Sequence, residues 1–353
     1  MSGNTFGNIL KLTTWGESHG LSIGGVLDGM PSNIELSEDD IQPYLDKRKP
    51  GQSSITTARK EADKIKILSG VFEGKTTGTP ISFIIENEDV KSKDYSNIQN
   101  LFRPGHADYT YFKKYGNRDY RGGGRASARE TAMRVAGGAI ARKIIPNIKI
   151  EAGLIQIGDI KINNWNSDEI NKNNFFSPDK EVLPKWESLI EQVKAEGDSI
   201  GCVVEVRVSN VPAGLGNPVF DKLDAEIAKA IMSINAVKAV EIGDGVEVAK
   251  LKGSKNCDQM IMENNKVKFL SNHSGGILGG ISNGQEIIVR ATFKPTSSIC
   301  IPQKTITTDY QNTEISTSGR HDPCVGIRGV AVVEAMMALL LADYFLLNQS
   351  GHR

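Results

Sequence analysis

Four of the five histidines in this chain stand in short segments rich in glycine or proline. His19 lies in GESHG, His106 in RPGHADY, His273 in SNHSGG and His321 in GRHDP. Glycine lets a backbone approach a ligand closely, and imidazole exchanges protons near neutral pH. The pattern therefore predicts histidines that meet a small molecule and transfer protons. No two of them lie within a helical turn of each other in sequence, so we expect no metal site.

Arginines form a second pattern in the same segments. YRGGGRASARE leads into a predicted helix with Ser127 as its cap, and a helix N-terminus attracts anions. Guanidinium groups bind phosphate and carboxylate through paired hydrogen bonds. The arginines concerned are Arg48, Arg103, Arg121, Arg125, Arg129 and Arg320. Each alone could be solvated or half of a local ion pair, but the set favours a small ligand with several negative charges.

A third segment, FKPTSSI (293–299), brings a lysine, a proline turn and hydroxyl side chains together. It fits either an ordinary polar turn after a strand or a local anion clamp.

GVFEGKT (70–76) resembles a phosphate-binding P-loop but has three residues between its glycines where four are needed. We therefore expect general acid chemistry on a phosphorylated acid, without a covalent enzyme intermediate.

Composition narrows the class of protein. The 353 residues include 42 basic and 42 acidic side chains, and this balance argues against a protein that coats nucleic acid or an anionic membrane. The four cysteines show no C-x-x-C spacing, which predicts free thiols in a reducing compartment. The N-terminus shows no signal-peptide pattern, so a cytoplasmic protein is expected.

Hydrophobic periodicity predicts strands and helices without steady alternation, which favours an α+β fold over a doubly wound sheet. Helices are predicted over 36–48, 127–145 and 184–196, after Asn217-Pro218 with Phe220 facing inward, and over 326–347. Strands are predicted over 64–72, 79–86, 148–160, 201–211, 240–248 and 286–293. The apolar stretch 329–347 contains two acidic residues, so a buried helix is favoured over a membrane span. The polar segment 161–183 is predicted to be an exposed insertion within a single domain, 1–353.

Taken together, the motifs resemble those of the chorismate synthase family. They are GESHG, FRPGHADYTY, YRGGGRASARETAMRVAGGAIA, MSINAVKAVEIGDG, SNHSGGILGGIS, KPTSSI and GRHDPCVGIRGV, in order along nearly the whole chain. The resemblance implies two antiparallel sheets that enclose a layer of helices. It also implies the elimination of phosphate from 5-enolpyruvylshikimate 3-phosphate to give chorismate in the shikimate pathway, with a requirement for reduced FMN (FMNH2) but no net redox change.

The resemblance also implies roles for individual residues. His19 matches the acid that protonates the departing phosphate, and His106 matches the histidine that supports the reduced flavin. Asp322 matches the carboxylate near flavin N5 that assists removal of the C6 proton. Substrate contacts are implied for Arg48, Arg103, Arg129, Arg320 and the position of Ser54, where many members carry an arginine. Flavin contacts are implied for Arg125, Ala126, Ser127, Asn235, Ala236, Gly279, Lys294, Pro295, Thr296, Ser297, Ser298 and Arg320.

With Ser54 at this position, one phosphate or carboxylate contact is either missing or supplied from elsewhere, and Lys47, Lys49 and Arg59 are the candidates. Family members are usually homotetramers. We also expect dependence on an external source of reduced FMN, such as a flavin reductase, in place of self-reduction with NADPH.

Two other interpretations stay open on sequence alone. RGGGR resembles RNA-binding RGG segments, although those are usually repeated and disordered. A flavin enzyme that passes hydride to its substrate could use the same loops. Flavin titration in the presence of substrate and RNA tests the RNA-binding interpretation. Analysis of the products tests the interpretation as a hydride-transferring enzyme.

Overall fold

The computed structural model describes residues 3–49, 62–88, 98–317 and 322–351. Within these ranges, two antiparallel five-stranded sheets enclose a layer of helices, which confirms the expected fold class. The first sheet contains, in order across it, β1 (Thr5–Phe6), β2 (Lys11–Gly16), β3 (Ser22–Asp28), β7 (Ile81–Glu86) and β4 (Ile65–Ile67). The P-loop-like segment 70–76 forms the hairpin of β5 (Val71–Phe72) and β6 (Lys75–Thr76). It therefore does not join a strand to a helix, as a P-loop does.

The second sheet is built from the strands with the clearest apolar alternation. It contains, in order across it, β11 (Val237–Ile242), β16 (Ile287–Phe293), β10 (Cys202–Ser209), β8 (Lys149–Ile157) and β9 (Ile160–Lys161). Three further hairpins are β12 (Met260–Glu263) with β13 (Lys266–Phe269), β14 (Ile277–Leu278) with β15 (Ile281–Ser282), and β17 (Gln303–Ile306) with β18 (Asn312–Ile315).

Two central helices bring distant polar segments together. The helices are α1 (Glu38–Arg48), α2 (Asp108–Tyr115), α3 (Thr131–Arg142), α4 (Leu183–Ala195), α5 (Leu223–Met232), α6 (Gly253–Asn256) and α7 (Gly326–Gly351). α3 packs against α7 so closely that a Cβ on Gly138 would lie 2.6 Å from the Cα of Ala335. Because α3 begins just after the RGGGR segment and α7 just after Asp322, this packing fixes both segments at the same side of the core.

α7 is apolar and long enough to cross a membrane, but 83% of its most apolar stretch is buried inside the protein. Both of its acidic side chains have internal partners. Glu334 accepts from Lys47 at 2.9 Å, and Asp343 accepts from the backbone N–H groups of Ile9 at 2.7 Å and Leu10 at 2.9 Å. Paired charges of this kind fit the core helix that the sequence predicts.

The helix expected after Pro218 begins later than its sequence pattern indicates. α5 starts at Leu223, because the backbone of Lys222, with φ of −56° and ψ of 140°, is not yet helical. Phe220 is therefore outside the helix and 90% exposed, so its predicted inward position is wrong. The segment 161–183 is exposed only in part, because Phe175 and Val182 lie in the core.

A short 3₁₀ turn precedes α3 and replaces the predicted start of the helix at 127. Ser127 accepts a hydrogen bond from the backbone N–H of Arg129 at 3.3 Å. The Glu130 carboxylate accepts from Thr14 of β2 at 2.8 Å and pairs with Arg134 at 3.0 Å, so it connects α3 to the first sheet.

Candidate active site

The two histidines of the GESHG and RPGH segments meet at adjacent glycines of the RGGGR segment. Gly122 and Gly123 both have left-handed backbone angles, with φ of +65° and +93°. A Cβ on Gly122 would lie 2.2 Å from the His19 ring, and one on Gly123 would lie 2.9 Å from Cε1 of His106. Consecutive Cα atoms are about 3.8 Å apart, so these contacts bring both imidazoles to one place. We call these four residues the paired-histidine site.

His19 is 7% exposed and held by its own loop. Its Nδ1 lies 3.0 Å from the Ser18 hydroxyl, and the Asn87 side chain donates to the backbone oxygens of Glu17 at 3.1 Å and Gly20 at 2.9 Å. The loop has the G-x-S-x-G spacing of a hydrolase nucleophile elbow. That elbow turns a strand into a helix, whereas here it joins two paired strands, β2 and β3. The buried Ser18 is therefore a partner for the imidazole and not an exposed nucleophile.

A carboxylate lies near His19 on the RGGGR side. Burial opposes ionisation of Asp119, but hydrogen bonds from Arg121 and the charge of His19 hold the pKa of this carboxyl below its ordinary value. An ionised carboxylate therefore lies near His19.

His106 is backed by a buried carboxylate that the sequence analysis did not single out. Asp108, the first residue of α2, lies 2.9 Å from His106 Nδ1. The same carboxylate accepts from Arg103 Nε at 2.8 Å and from its Nη2 at 2.9 Å. Arg103 therefore has a structural role in this local cluster, in addition to its predicted contact with the substrate.

Arg48 and Arg129 share a second buried carboxylate, that of Asp63. Arg48 is 1% exposed, and its Nη1 lies 2.8 Å from Asp63 while its other nitrogens donate to Thr131 at 3.1 Å and to the carbonyl of Ala128 at 3.1 Å. Burial, with the charge of Arg328, lowers the pKa of Arg48 to about 9, which keeps the guanidinium charged at pH 7.

The arginine pair is connected to the loop of His19. Arg129 Nε donates at 3.0 Å to the side-chain oxygen of Asn87, which also holds the GESHG backbone. Burial would raise the pKa of Asp63, but the charges of Arg48 and Arg129 outweigh it and hold the pKa below its ordinary value. Two guanidinium groups and one carboxylate leave a net positive charge beside His19.

Asp322 joins the same region through two contacts. Its carboxylate lies 2.8 Å from Arg328 Nη1, and Arg328 Nε donates to the backbone oxygen of Arg48 at 3.1 Å. The backbone oxygen of Asp322 accepts from the hydroxyl of Thr296 in the KPTSS segment at 2.9 Å. Asp322 is thus joined by hydrogen bonds both to the arginine pair, through Arg328, and to the KPTSS segment.

The KPTSS segment reaches the loop of His106. Lys294 Nζ and the Ser297 hydroxyl both donate to the backbone oxygen of Gly105, at 2.6 and 2.8 Å. Ser298 is buried, and Lys294 N–H donates to the backbone oxygen of Ala236 at 2.9 Å. The segment expected to clamp an anion therefore borders the paired-histidine site.

The remaining flavin candidates fall into two groups. Arg125 donates to Thr14 Oγ1 at 2.8 Å, and Asn235 Nδ2 donates to the Ala126 oxygen at 3.0 Å, so both lie at the RGGGR segment. Gly279 lies apart in the β14–β15 hairpin, beside the N-terminus of α5, whereas Asn235 follows its C-terminus. A ten-residue helix is about 15 Å long, so one copy of the chain does not bring Gly279 to the others.

Some predicted residues lie outside the part of the chain that the structure describes. These are Ser54, Arg59, Arg320 and His321. Of the other candidates for the contact at Ser54, Lys47 pairs with Glu334 and Lys49 with Asp46, both at 2.9 Å. Within the described ranges, no group of three His, Cys, Asp or Glu side chains is arranged to hold a metal ion.

We expect Asp63→Asn to lower the free energy of unfolding by about 3–5 kcal/mol, the scale for breaking a buried ion pair. The substitution leaves two buried guanidinium groups without their shared carboxylate. Urea denaturation checks this, with Glu86→Gln as the control. Glu86 pairs with Lys66 on the surface, and such pairs contribute less than about 1 kcal/mol. Equal effects of the two substitutions would contradict the assigned role of Asp63.

The pH dependence of this difference has a definite sign. Because the pKa of Asp63 is lowered on folding, its contribution is complete above the unfolded value of about 3.9 and is lost as the pH falls toward the folded value. The gap in stability between the wild type and Asp63→Asn should therefore shrink in acid.

Comparisons with known proteins agree with this geometry. The family model described as chorismate synthase matches residues 10–346. Chorismate synthase from Francisella tularensis subsp. novicida (strain U112) is 60% identical over 352 residues, and that from Pelagibacter ubique (strain HTCC1062) is 58% identical over 357 residues. Each alignment covers 99% of both chains. A crystal structure of chorismate synthase superimposes with a TM-score of 0.78 at 33% identity, covering 97% of this chain and 93% of that one.

Proposed function

This chain belongs to the chorismate synthase family, and we propose that it binds its substrate and reduced FMN at the paired-histidine site. Its reaction is that of the family, a lyase reaction in which 5-enolpyruvylshikimate 3-phosphate loses phosphate to give chorismate, a precursor of aromatic amino acids in the shikimate pathway. The observation that carries the assignment of the site is the meeting of His19 and His106 at Gly122 and Gly123.

The residues around the site suit a flavin. Asn235 Oδ1 is buried and has no hydrogen-bond partner among the described residues, so it can accept from a ligand N–H or hydroxyl group, both of which FMN carries. Left-handed glycines leave a surface without Cβ atoms beside both imidazoles. Arg125, Ala126, Ser127 and the KPTSS segment would complete the pocket. Reduced FMN, when bound, supplies electron density that helps the phosphate leave and is returned at the end, so no net oxidation occurs.

The chain's own residues divide the remaining work by charge. The net positive charge of Arg48, Arg129 and Asp63 attracts the multiply charged substrate and holds its anionic groups. His19, buried beside this pair, donates a proton to the departing phosphate oxygen. Asp322, which pairs with Arg328, assists the other half of the elimination, the removal of the C6 proton.

An anaerobic assay tests the proposal. With enolpyruvylshikimate phosphate and dithionite-reduced FMN, we expect chorismate to form, as followed by its absorbance, with many turnovers for each reduced flavin. Oxidised FMN should give no product, and RNA should not compete with FMN in a flavin titration. One product molecule for each flavin would indicate hydride transfer to the substrate, and no chorismate at all would refute the assignment.

We propose a cytoplasmic homotetramer that depends on an external source of reduced FMN. The four cysteines are free thiols, as is usual in a reducing compartment. The β12–β13 hairpin exposes Met260, Met262 and Val267, and exposed apolar side chains suit a contact between copies. Such an assembly would give Gly279 of a second copy a route to the flavin. Sedimentation of the purified protein would reveal the assembly.

A further inference from the structure

One arginine in the first turn of α7, Arg328, contacts two parts of the site at once. Its Nη1 donates to the Asp322 carboxylate at 2.8 Å, and its Nε donates to the backbone oxygen of Arg48 at 3.1 Å. We propose that Arg328 is a positioning residue that fixes the Asp322 carboxylate relative to the arginine pair, and so aligns it with the C6 hydrogen of the bound substrate. The inference rests on the proposed function, in which the arginine pair holds the substrate and Asp322 assists removal of its C6 proton.

The packing of α7 fixes the point from which the Arg328 side chain extends. A Cβ on Gly326 would lie 2.1 Å from Cys202 Sγ of β10. One on Gly329 would lie 2.8 Å from Cζ of Phe293 of β16. The first turn of α7 therefore lies directly on the second sheet. Successive side chains of a helix are about 100° apart, so Arg328 projects from another side of this turn, where it meets the end of α1.

The contact with Arg48 lies at a helix end that favours a cation. Arg48 is the last residue of α1, and the last carbonyl groups of a helix have no partner within it. The helix dipole also favours positive charge at this end. One planar guanidinium thus joins the end of α1 to the Asp322 carboxylate, and its rigid arrangement of N–H groups sets the spacing between them.

The backbone of Asp322 has contacts that do not involve Arg328. Its carbonyl accepts from the Thr296 hydroxyl at 2.9 Å, and the carbonyl of Pro323 accepts from the backbone N–H of Ile200 at 2.9 Å. Loss of Arg328 would therefore loosen the carboxylate more than the loop. A group that assists proton removal must lie within hydrogen-bond reach of its target, so this loss should affect one step of the reaction more than the others.

Arg328→Met, assayed with substrate deuterated at C6, tests the inference. The substitution removes both contacts, and we expect kcat to fall about tenfold to 10²-fold, the scale for displacing a reacting group by about 1 Å. The deuterium isotope effect on kcat should exceed that of the wild type, because a displaced carboxylate slows removal of the C6 proton in particular. Arg328→Lys keeps the charge but has a single nitrogen, so both quantities should change in the same direction and by less.

Arg290→Met is the matched control. The Arg290 guanidinium also joins a buried carboxylate, that of Glu205, to a backbone oxygen, that of Gly243, both at 2.8 Å. Side chains alternate between the two faces of a strand, and the neighbouring Ala291 faces the core, so Arg290 lies on the outer face of the second sheet. Its kcat and isotope effect should match those of the wild type.

A double-mutant cycle measures whether Arg328 acts through Asp322. In an Asp322→Asn background, Arg328→Met should lower kcat much less than it does in the wild-type background. The urea midpoints of the same four proteins, measured without flavin or substrate, should also be non-additive, because the two side chains form one ion pair.

Three results would overturn the inference. They are an unchanged isotope effect in folded Arg328→Met, additive losses of kcat in the cycle, and a loss confined to KM, which would make Arg328 a direct substrate ligand. If Arg328→Met does not fold, an unchanged isotope effect in Arg328→Lys is equally decisive. Failure of the wild type to form chorismate would refute the proposed function separately, and additive urea midpoints would still overturn the pairing of Arg328 with Asp322.

Discussion

His19→Ala is expected to lower kcat about 10²-fold or more, the scale for losing a positioned general acid. The imidazole is buried at Gly122, next to the arginine pair that would hold the substrate phosphate. Without it, the leaving phosphate must depart as an unprotonated anion. The loss should appear mainly in kcat and much less in KM, because the guanidinium groups that bind the substrate remain. Steady-state kinetics with reduced FMN under anaerobic conditions provides the measurement.

His273→Ala is the matched control for this substitution. His273 also stands in a glycine-rich loop, but its Nδ1 pairs with Asp244 at 2.6 Å, at the end of β11 and away from the paired-histidine site. Its kcat should match the wild type, and both variants should unfold at temperatures close to that of the wild type. Wild-type turnover of folded His19→Ala would remove His19 from the mechanism. Equal losses of kcat in both variants would show that alanine in a glycine-rich loop lowers activity whatever the role of the histidine.

Local sequence signals predicted the elements whose pattern is long or chemically distinct. The long apolar run, which only two acidic residues interrupt, predicts α7, and alternation predicts β10 and β16. Ser37 precedes α1, and its backbone N–H donates to the Asp40 carboxylate at 2.9 Å. These signals are carried by neighbouring residues, so they need no knowledge of tertiary contacts.

The two buried carboxylates were not predicted, because their partners are distant or are set by loop geometry. Asp63 lies in the highly charged segment KEADK, where an acid is normally solvated. Its burial depends on Arg129, which the fold brings to it from the start of α3. Asp108 did leave a signal, since it follows His106 by two residues, but only the turn before α2 shows that their side chains meet.

For the arginines too, the sequence showed which residues are present but not which partners they have. Counting them predicted an anionic ligand, and the structure gathers Arg48, Arg103 and Arg129 near the two histidines. The count could not reveal that Arg48 is buried and already bonded to Asp63, Thr131 and Ala128. A substitution there would therefore affect stability as well as substrate binding, because it leaves the buried Asp63 with one fewer cation.

Gly122→Ala should reduce kcat to within about tenfold of the His19→Ala value, although it removes no catalytic side chain. The new Cβ would lie 2.2 Å from the His19 ring and 2.7 Å from the Ser18 hydroxyl, so the imidazole must move. Displacement of a reacting group by about 1 Å can cost about 10²-fold in rate. The kinetic measurement is the same anaerobic assay, accompanied by a thermal unfolding curve.

Gly124→Ala separates the displacement of His19 from backbone strain. Gly124 also has a left-handed backbone, with φ of +54° against +65° at Gly122, so alanine costs about 1–3 kcal/mol of strain at either position. At Gly124, however, the nearest atom to the new Cβ would be the Asp119 Cβ at 3.6 Å, an ordinary contact. Both variants should lose similar stability, and only Gly122→Ala should lose most of its turnover. If the two lose turnover equally, strain in the RGGGR segment explains the loss and the contact between Gly122 and His19 does not matter for catalysis.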